Sequence, residues 1–266
     1  SMAERGLRVI AIAKAEMLIN PLPDSHLNIN HTFLGFIALN DPIRSEVPAS
    51  IQQCFEAGIK VIMITGDFPV TAKYIAHQIG LPFYNNIING NELDKMSDLA
   101  LQNKILTTSV FARVIPEQKL RIVQALKSNN EIVAMTGDGV NDAPALKVAH
   151  IGIAMGKRGT DVAREASSLI LLDDNFSSIV SAIRLGRKIY DNLQKAMSYI
   201  LSIHIPIIGL AMIPAMFVNV PLILFPVHIV FLELIIDPVS SVAFESEMEE
   251  KNIMKRLPRK MGEKFF

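Results

Sequence analysis

Residues 132–146 read Ile-Val-Ala-Met-Thr-Gly-Asp-Gly-Val-Asn-Asp-Ala-Pro-Ala-Leu. The first four form a short apolar run of the kind that makes a strand buried on both faces. A loop follows. In it Gly137 and Gly139 free the backbone, and two acids, Asp138 and Asp142, stand four residues apart with Asn141 between them. Carboxylates this close repel each other unless a cation lies among them. Magnesium takes oxygen ligands and keeps several waters, so two carboxylates suffice to hold it. Asp138 and Asp142 therefore read as a magnesium site at the carboxyl end of a strand, and a helical pattern over Ala143–Val148 continues the chain.

The same alternation runs outward in both directions. Strands are expected at Arg8–Ala13, Thr32–Leu39, Lys60–Ile64, Ser109–Ala112, Ile151–Ala154 and Ser168–Leu172, with helices at Val47–Ala57, Pro69–Ile79, Pro116–Ser128 and Thr160–Ala166. Short apolar runs alternating with helices argue an α/β fold, a Rossmann-like parallel sheet covered on both faces, with its ligand at the carboxyl ends of the strands. Two further polar clusters fall at such ends. Thr65-Gly66-Asp67 offers a hydroxyl and an unobstructed glycine amide to a phosphate, although the same trio also makes a plain turn. Arg113 to Lys119 opens a helix at Pro116 and places Lys119 near its N-terminus, where the helix dipole disfavours a cation. A lysine there either faces an anion held by a neighbouring loop or is simply solvated.

Composition narrows the function. The 266 residues carry 26 Lys+Arg and 26 Asp+Glu, so the chain has no basic field and no nucleic-acid partner is expected. A single cysteine, Cys54, excludes an internal disulfide and a thiolate-rich zinc site. The start, Ser1 to Gly6, lacks the apolar core of a secretory signal. Half of the residues are hydrophobic, and they are concentrated late in the chain: between Ala196 and Phe244 only Glu233 and Asp237 are charged. Ala196–Val218 and Leu222–Phe244 are each long enough to span a bilayer, with a break at Asn219-Val-Pro221. Basic residues flank both spans, Arg184 to Lys195 before and Lys251 to Lys260 after, which puts both flanks on the cytoplasmic side. The plainer alternative is a pair of buried core helices. Acids inside a membrane are functional by default. Glu233 and Asp237 share a helix face, Pro206, Pro214, Pro226 and Pro238 interrupt the helices and free carbonyls, and His204 lies in the first span. A site for a transported cation from Glu233, Asp237 and His204 follows.

At these residues the sequence resembles the P-type cation-transporting ATPases, from Arg8 to about Pro258. The run Thr136–Leu146 is that family's hallmark. Beside it stand Asp41-Pro-Ile-Arg44, Met63-Ile-Thr-Gly-Asp67, Phe111-Ala-Arg-Val114 with Lys119, and Asp173-Asp-Asn-Phe176. The resemblance implies a haloacid dehalogenase-like phosphorylation domain and the family's fifth and sixth membrane helices. It implies that Thr65 and Gly66 hold the transferred phosphoryl group and Lys119 neutralises its oxygens. Asp138 binds magnesium in a site shaped by Asn141 and Asp142. Arg113, Asp67 and Arg8 lie near ATP, and Asp41 and Arg44 lie near the interdomain hinge. The expected domains are 1–20, the tail of a nucleotide-binding domain; 21–188, the phosphorylation domain; 189–245, the membrane hairpin; and 246–266, a cytoplasmic loop.

The family's nucleophile, in an Asp-Lys-Thr-Gly-Thr motif, does not occur in this sequence. The resemblance therefore implies a C-terminal-side fragment of a pump, inactive alone and partnered by missing upstream and downstream parts, in a membrane that is most simply bacterial. A membrane-tethered haloacid dehalogenase-like phosphatase lacks its own Asp-x-Asp nucleophile here, and a non-catalytic regulatory fragment is the other alternative. For the ion, Ile207 and Ile236 stand where calcium pumps carry ligands, and no Cys-Pro-Cys motif points to copper, zinc or cadmium. A calcium-like divalent ion, a monovalent cation and a proton remain open.

Overall fold

The computed structural model describes residues 6–16, 25, 29–40, 42–217, 219–260 and 262–263. Asp41 and the side chain of Arg8 lie outside the described residues. The chain forms two compact units, Ser1–Phe55 with Lys60–Ser177, and Glu56–Ile59 with Ser178–Phe266.

The first unit is built around two three-stranded parallel sheets. One has β3 (Met63–Ile64), β5 (Val110–Ala112) and β4 (Ile87–Asn89) in the order β3-β5-β4. The other has β6 (Ala134–Gly137), β7 (Ile151–Met155) and β8 (Leu169–Leu171) in that order. β5 shows how the layers arise. Its side chains alternate across the sheet. Val110 and Ala112 join Ile51 of α1 (Val47–Glu56) and Ala72 and Ala76 of α2 (Pro69–Gln78) on one face. Phe111, fully buried, joins Leu93, Leu101 and Ile122 on the other, from α3 (Gly90–Lys95), α4 (Asp98–Lys104) and α5 (Pro116–Ser128). A second core lies on β6 and β7, where Met135 and Ala154 meet Leu146 of α6 (Ala143–Val148) and Ala163 of α7 (Asp161–Glu165). Ile64 of β3 packs against both cores.

Three features differ from the sequence reading. β1 (Arg8–Lys14) and β2 (Thr32–Leu39) do not join the parallel sheets; they form a separate antiparallel ribbon, with Arg8 opposite Leu39 and Lys14 opposite Thr32. β3 is only two residues long, because the chain before Met63 makes no ladder. β4, α3 and α4 lie in a stretch where neither strand nor helix was expected. Their start signal is nonetheless local. The Asn89 side chain accepts from the Glu92 amide while Glu92 reaches back to the Asn89 amide, a capping box. Ser97 caps α4 by accepting from the Ala100 amide.

The second unit is dominated by two helices long and apolar enough to cross a membrane, α8 (Phe176–Met216) and α9 (Pro226–Ser246). α8 runs 41 residues without a break despite Pro206 and Pro214. The polar first part of α8 is tied to the segment after α9. Arg187 donates to the carbonyls of Ile253, Arg256 and Ala57. Arg256 pairs with Asp191 at 2.5 Å, and Lys195 with Glu247 and Glu250. Arg187 thus satisfies two carbonyls of that segment and the carbonyl of Ala57.

Candidate phosphate and magnesium site

Two loops at the strand ends are joined by their backbones. The Thr65 amide donates to the Phe111 carbonyl, the Val114 amide to Thr65 O and the Arg113 amide to Asp67 O, all within 3.1 Å. The Thr65 hydroxyl donates to Asp67 Oδ2 and accepts from the Asp67 amide, each at 3.1 Å, which fixes its orientation. A Cβ built at Gly66 meets nothing within 4 Å. No neighbour in the chain requires glycine there, and the space beside its amide can take an anion. Arg113 has φ 54°, a left-handed conformation uncommon outside glycine. Its guanidinium lies 4.5 Å over the Phe68 ring, a cation–π contact.

The third loop is organised by Asp142, which is 6 % exposed. Its Oδ1 accepts from Lys119 Nζ at 2.5 Å. Its Oδ2 accepts from the amides of Asp138 and Gly139 at 3.3 and 3.2 Å. A buried carboxylate needs such partners to stay charged. The cation facing the acidic loop is thus Lys119, from the first turn of α5. The dipole-disfavoured lysine and the crowded acids explain one another. Asp138, by contrast, is exposed at the end of β6 with its backbone held by Asp142. Its carboxylate is an oxygen donor that can serve magnesium, which needs only one or two carboxylates beside its waters. Asn141 is also exposed beside it. Among the described residues no three His, Cys, Asp or Glu side chains gather into a cluster, so these residues build no closed metal cage.

Gly137 is where the sequence has no choice. A Cβ there would lie 2.5 Å from Asp142 Cβ and 2.9 Å from its Cγ. Gly137→Ala is therefore expected to destabilise the chain by about 1–3 kcal/mol, the usual cost of overpacking. A lowered midpoint in a circular-dichroism melt checks it; an unchanged midpoint contradicts this packing.

One residue carried no role in the sequence reading beyond its place in the Asp173-Asp-Asn-Phe176 motif. Asp174 is 6 % exposed, has φ 54°, and its carboxylate accepts from the amides of Lys157 and Arg158 at 2.9 Å each. Burial alone raises its pKa, but the amides of Lys157, Arg158 and Gly156 outweigh that and hold it below the ordinary aspartate range. No sequence signal separates Asp174 from Asp173; only the loop's return to it does.

In the helical hairpin the structure brings two of the three expected residues together. His204 Nε2 lies 3.7 Å from Glu233 Oε1. The Nδ1 of His204 sits 2.8 Å from the Ile200 carbonyl, which can only accept, so Nδ1 carries a proton. Asp237 is one turn along α9 from Glu233 and does not complete a three-residue cluster with them.

Residues 10–150 match the haloacid dehalogenase-like hydrolase family, as do 118–183 in a second description of it, and residues 221–266 match the C-terminus of cation transporting ATPases. The chain is 45 % identical to the calcium-transporting ATPase of Bacillus subtilis, over all of this chain and 30 % of that protein. It is 41 % identical to calcium-transporting ATPase 1 of Saccharomyces cerevisiae, over 99 % of this chain and 28 % of that one. It is 43 % identical to the sodium/potassium-transporting ATPase subunit alpha-3 of Gallus gallus, over 86 % of this chain and 25 % of that one. The crystal structure of a zinc-transporting PIB-type ATPase in its E2.Pi state superposes with a TM-score of 0.59 at 25 % identity, covering 96 % of this chain and 32 % of that one. The chain thus spans less than a third of the length of these relatives. It belongs to the haloacid dehalogenase-like hydrolase family, and it is homologous to the part of a P-type cation-transporting ATPase that joins such a domain to two membrane helices.

Proposed function

We propose that this chain supplies the magnesium and phosphate site, and part of the membrane ion site, of an ATP-driven cation pump. The observation that carries the reading is Asp142, which ties Lys119 and the Asp138 loop into one constellation. Phosphoryl transfer asks a protein mainly to position groups and to stabilise charge. The Thr65 hydroxyl and Gly66 amide hold phosphoryl oxygens, and the Lys119 ammonium, aimed by Asp142, neutralises them. Magnesium bound at Asp138 spreads the remaining negative charge. Asn141 borders that ligand, while Asp142 holds its loop. Arg113 and Asp67 lie near the nucleotide, and Arg8 binds the ATP phosphates. The nucleophilic aspartate comes from a part of the pump upstream of these residues.

In the membrane Glu233, Asp237 and His204 bind the transported cation, and the soluble unit lies on the cytoplasmic side. Both ends of the hairpin carry Lys and Arg, in agreement with this orientation. A bacterial plasma membrane is the proposed location.

The test is transfer of label from γ-labelled ATP. The full-length protein should take up label on an aspartate in the presence of magnesium, and the 266-residue chain alone should take up none. Label on the isolated chain, or none on the full-length protein at any ion composition, overturns the reading.

A further inference from the structure

We infer that Asp174 is a positioning residue for the magnesium ligand Asp138, acting through the loop 156–160; the inference rests on the proposed role of Asp138. The path is continuous. The Asp174 carboxylate accepts from the amides of Lys157 and Arg158 at 2.9 Å each. Two residues on, the Thr160 amide donates to the Asp138 carbonyl at 2.8 Å. The segment between is short and rigid. Gly159 lies so close to Met155 O that no Cβ fits there. Arg164 donates to the carbonyls of Gly156 and Gly159 at 2.9 and 2.6 Å. Thr160 also caps α7 by accepting from the Ala163 amide. Asp174 is itself held, since Arg44 donates to its carbonyl at 2.5 Å.

A left-handed, buried aspartate whose two oxygens bind consecutive amides is expensive to build. Here it holds the loop whose Thr160 amide binds the Asp138 carbonyl. Asp142 holds Asp138 by its amide and Thr160 holds it by its carbonyl. Without the Thr160 bond the peptide after Asp138 is held only at its Gly139 amide, by Asp142, and the aim of the Asp138 carboxylate loosens.

The experiment uses manganese as a paramagnetic probe of the magnesium site, titrated by EPR into the full-length protein in detergent, together with amide hydrogen exchange. Asp174→Asn should weaken manganese binding by about tenfold, the order of loss expected when an outer residue that orients a metal ligand is removed. Exchange should quicken at Thr160 as well as at Lys157 and Arg158. Asp174→Glu should recover part of both. In the unaltered protein, coupling is reciprocal, so manganese should slow exchange at Lys157 and Arg158, which do not touch it. That last measurement needs no variant and stands even if Asp174→Asn fails to fold. Unchanged manganese affinity in Asp174→Asn with faster exchange confined to Lys157 and Arg158, or no protection of those amides by manganese, overturns the inference. Manganese binding that survives Asp138→Asn unaltered points instead to a failure of the underlying reading of Asp138.

Discussion

Replacing Lys119 by methionine is expected to lower phosphoryl transfer in the full-length protein by about 10²–10³-fold, the loss that follows removal of one preorganised group aimed at developing negative charge. Methionine keeps most of the side chain's length and apolar stem, so α5 should form as before. The variant also leaves Asp142, 6 % exposed, without its cation. Breaking a buried pair costs about 3–5 kcal/mol when the remaining charge has nothing else. Here two amides still bind Asp142, and the Lys119 side chain is 20 % exposed, so the cost should fall to about 1–3 kcal/mol. The two effects separate in the double variant. Asp142→Asn added to Lys119→Met removes the orphaned charge and should restore much of the melting temperature while leaving transfer slow. Transfer at the normal rate in Lys119→Met, or recovery of rate along with stability in the pair, would show that Lys119 serves only to hold Asp142.

The second large effect is expected in the membrane. Glu233→Gln with Asp237→Asn should weaken the ion dependence of phosphorylation by about 10²-fold, because two of the three proposed ligands lose their charge, contacts to a charged group are worth about 1.5–3 kcal/mol each, and each 1.4 kcal/mol is a factor of ten. Glu233→Gln alone should already show most of it, since Glu233 is the acid that faces His204. The ion concentration that half-saturates phosphoenzyme formation is the quantity to follow, with calcium, sodium, potassium and pH varied in turn. The same half-saturating concentration in the double variant, for every ion tested, removes these acids from the transport site.

The strand ends were legible in the sequence because chemistry and geometry are both local there. The loop 136–142 holds its acids and glycines within seven residues, and Lys119 advertised a missing anion by sitting at the wrong end of a helix dipole. The parallel strands β5, β6 and β7 were legible as apolar runs. Other elements were not, for physical reasons. β4 is three residues long and gives no period to detect, and α3 and α4 hold only six and seven residues, with no strand-end motif of the kind that marked the equally short α6. Only their caps mark them, in Asn89 with Glu92 and in Ser97. The β1–β2 ribbon has the same apolar composition as the parallel strands, and composition does not encode the direction of pairing. The role of Asp174 was hidden because its partners are backbone amides sixteen and seventeen residues away, and amides carry no residue identity.

Arg113 shows what folding and chemistry each ask of one position. A left-handed backbone costs a non-glycine residue about 1–2 kcal/mol. Glycine relieves that strain but adds about 0.5–1 kcal/mol of chain entropy lost on folding, and it forfeits the contact with Phe68. The two nearly cancel, so Arg113→Gly should melt within a few degrees of the unaltered chain while weakening ATP binding in the full-length protein. Stability alone is thus close to indifferent between glycine and arginine at this turn. A selection for thermal robustness could lose the guanidinium without registering the loss, and a screen that scores only folding would count position 113 as tolerant.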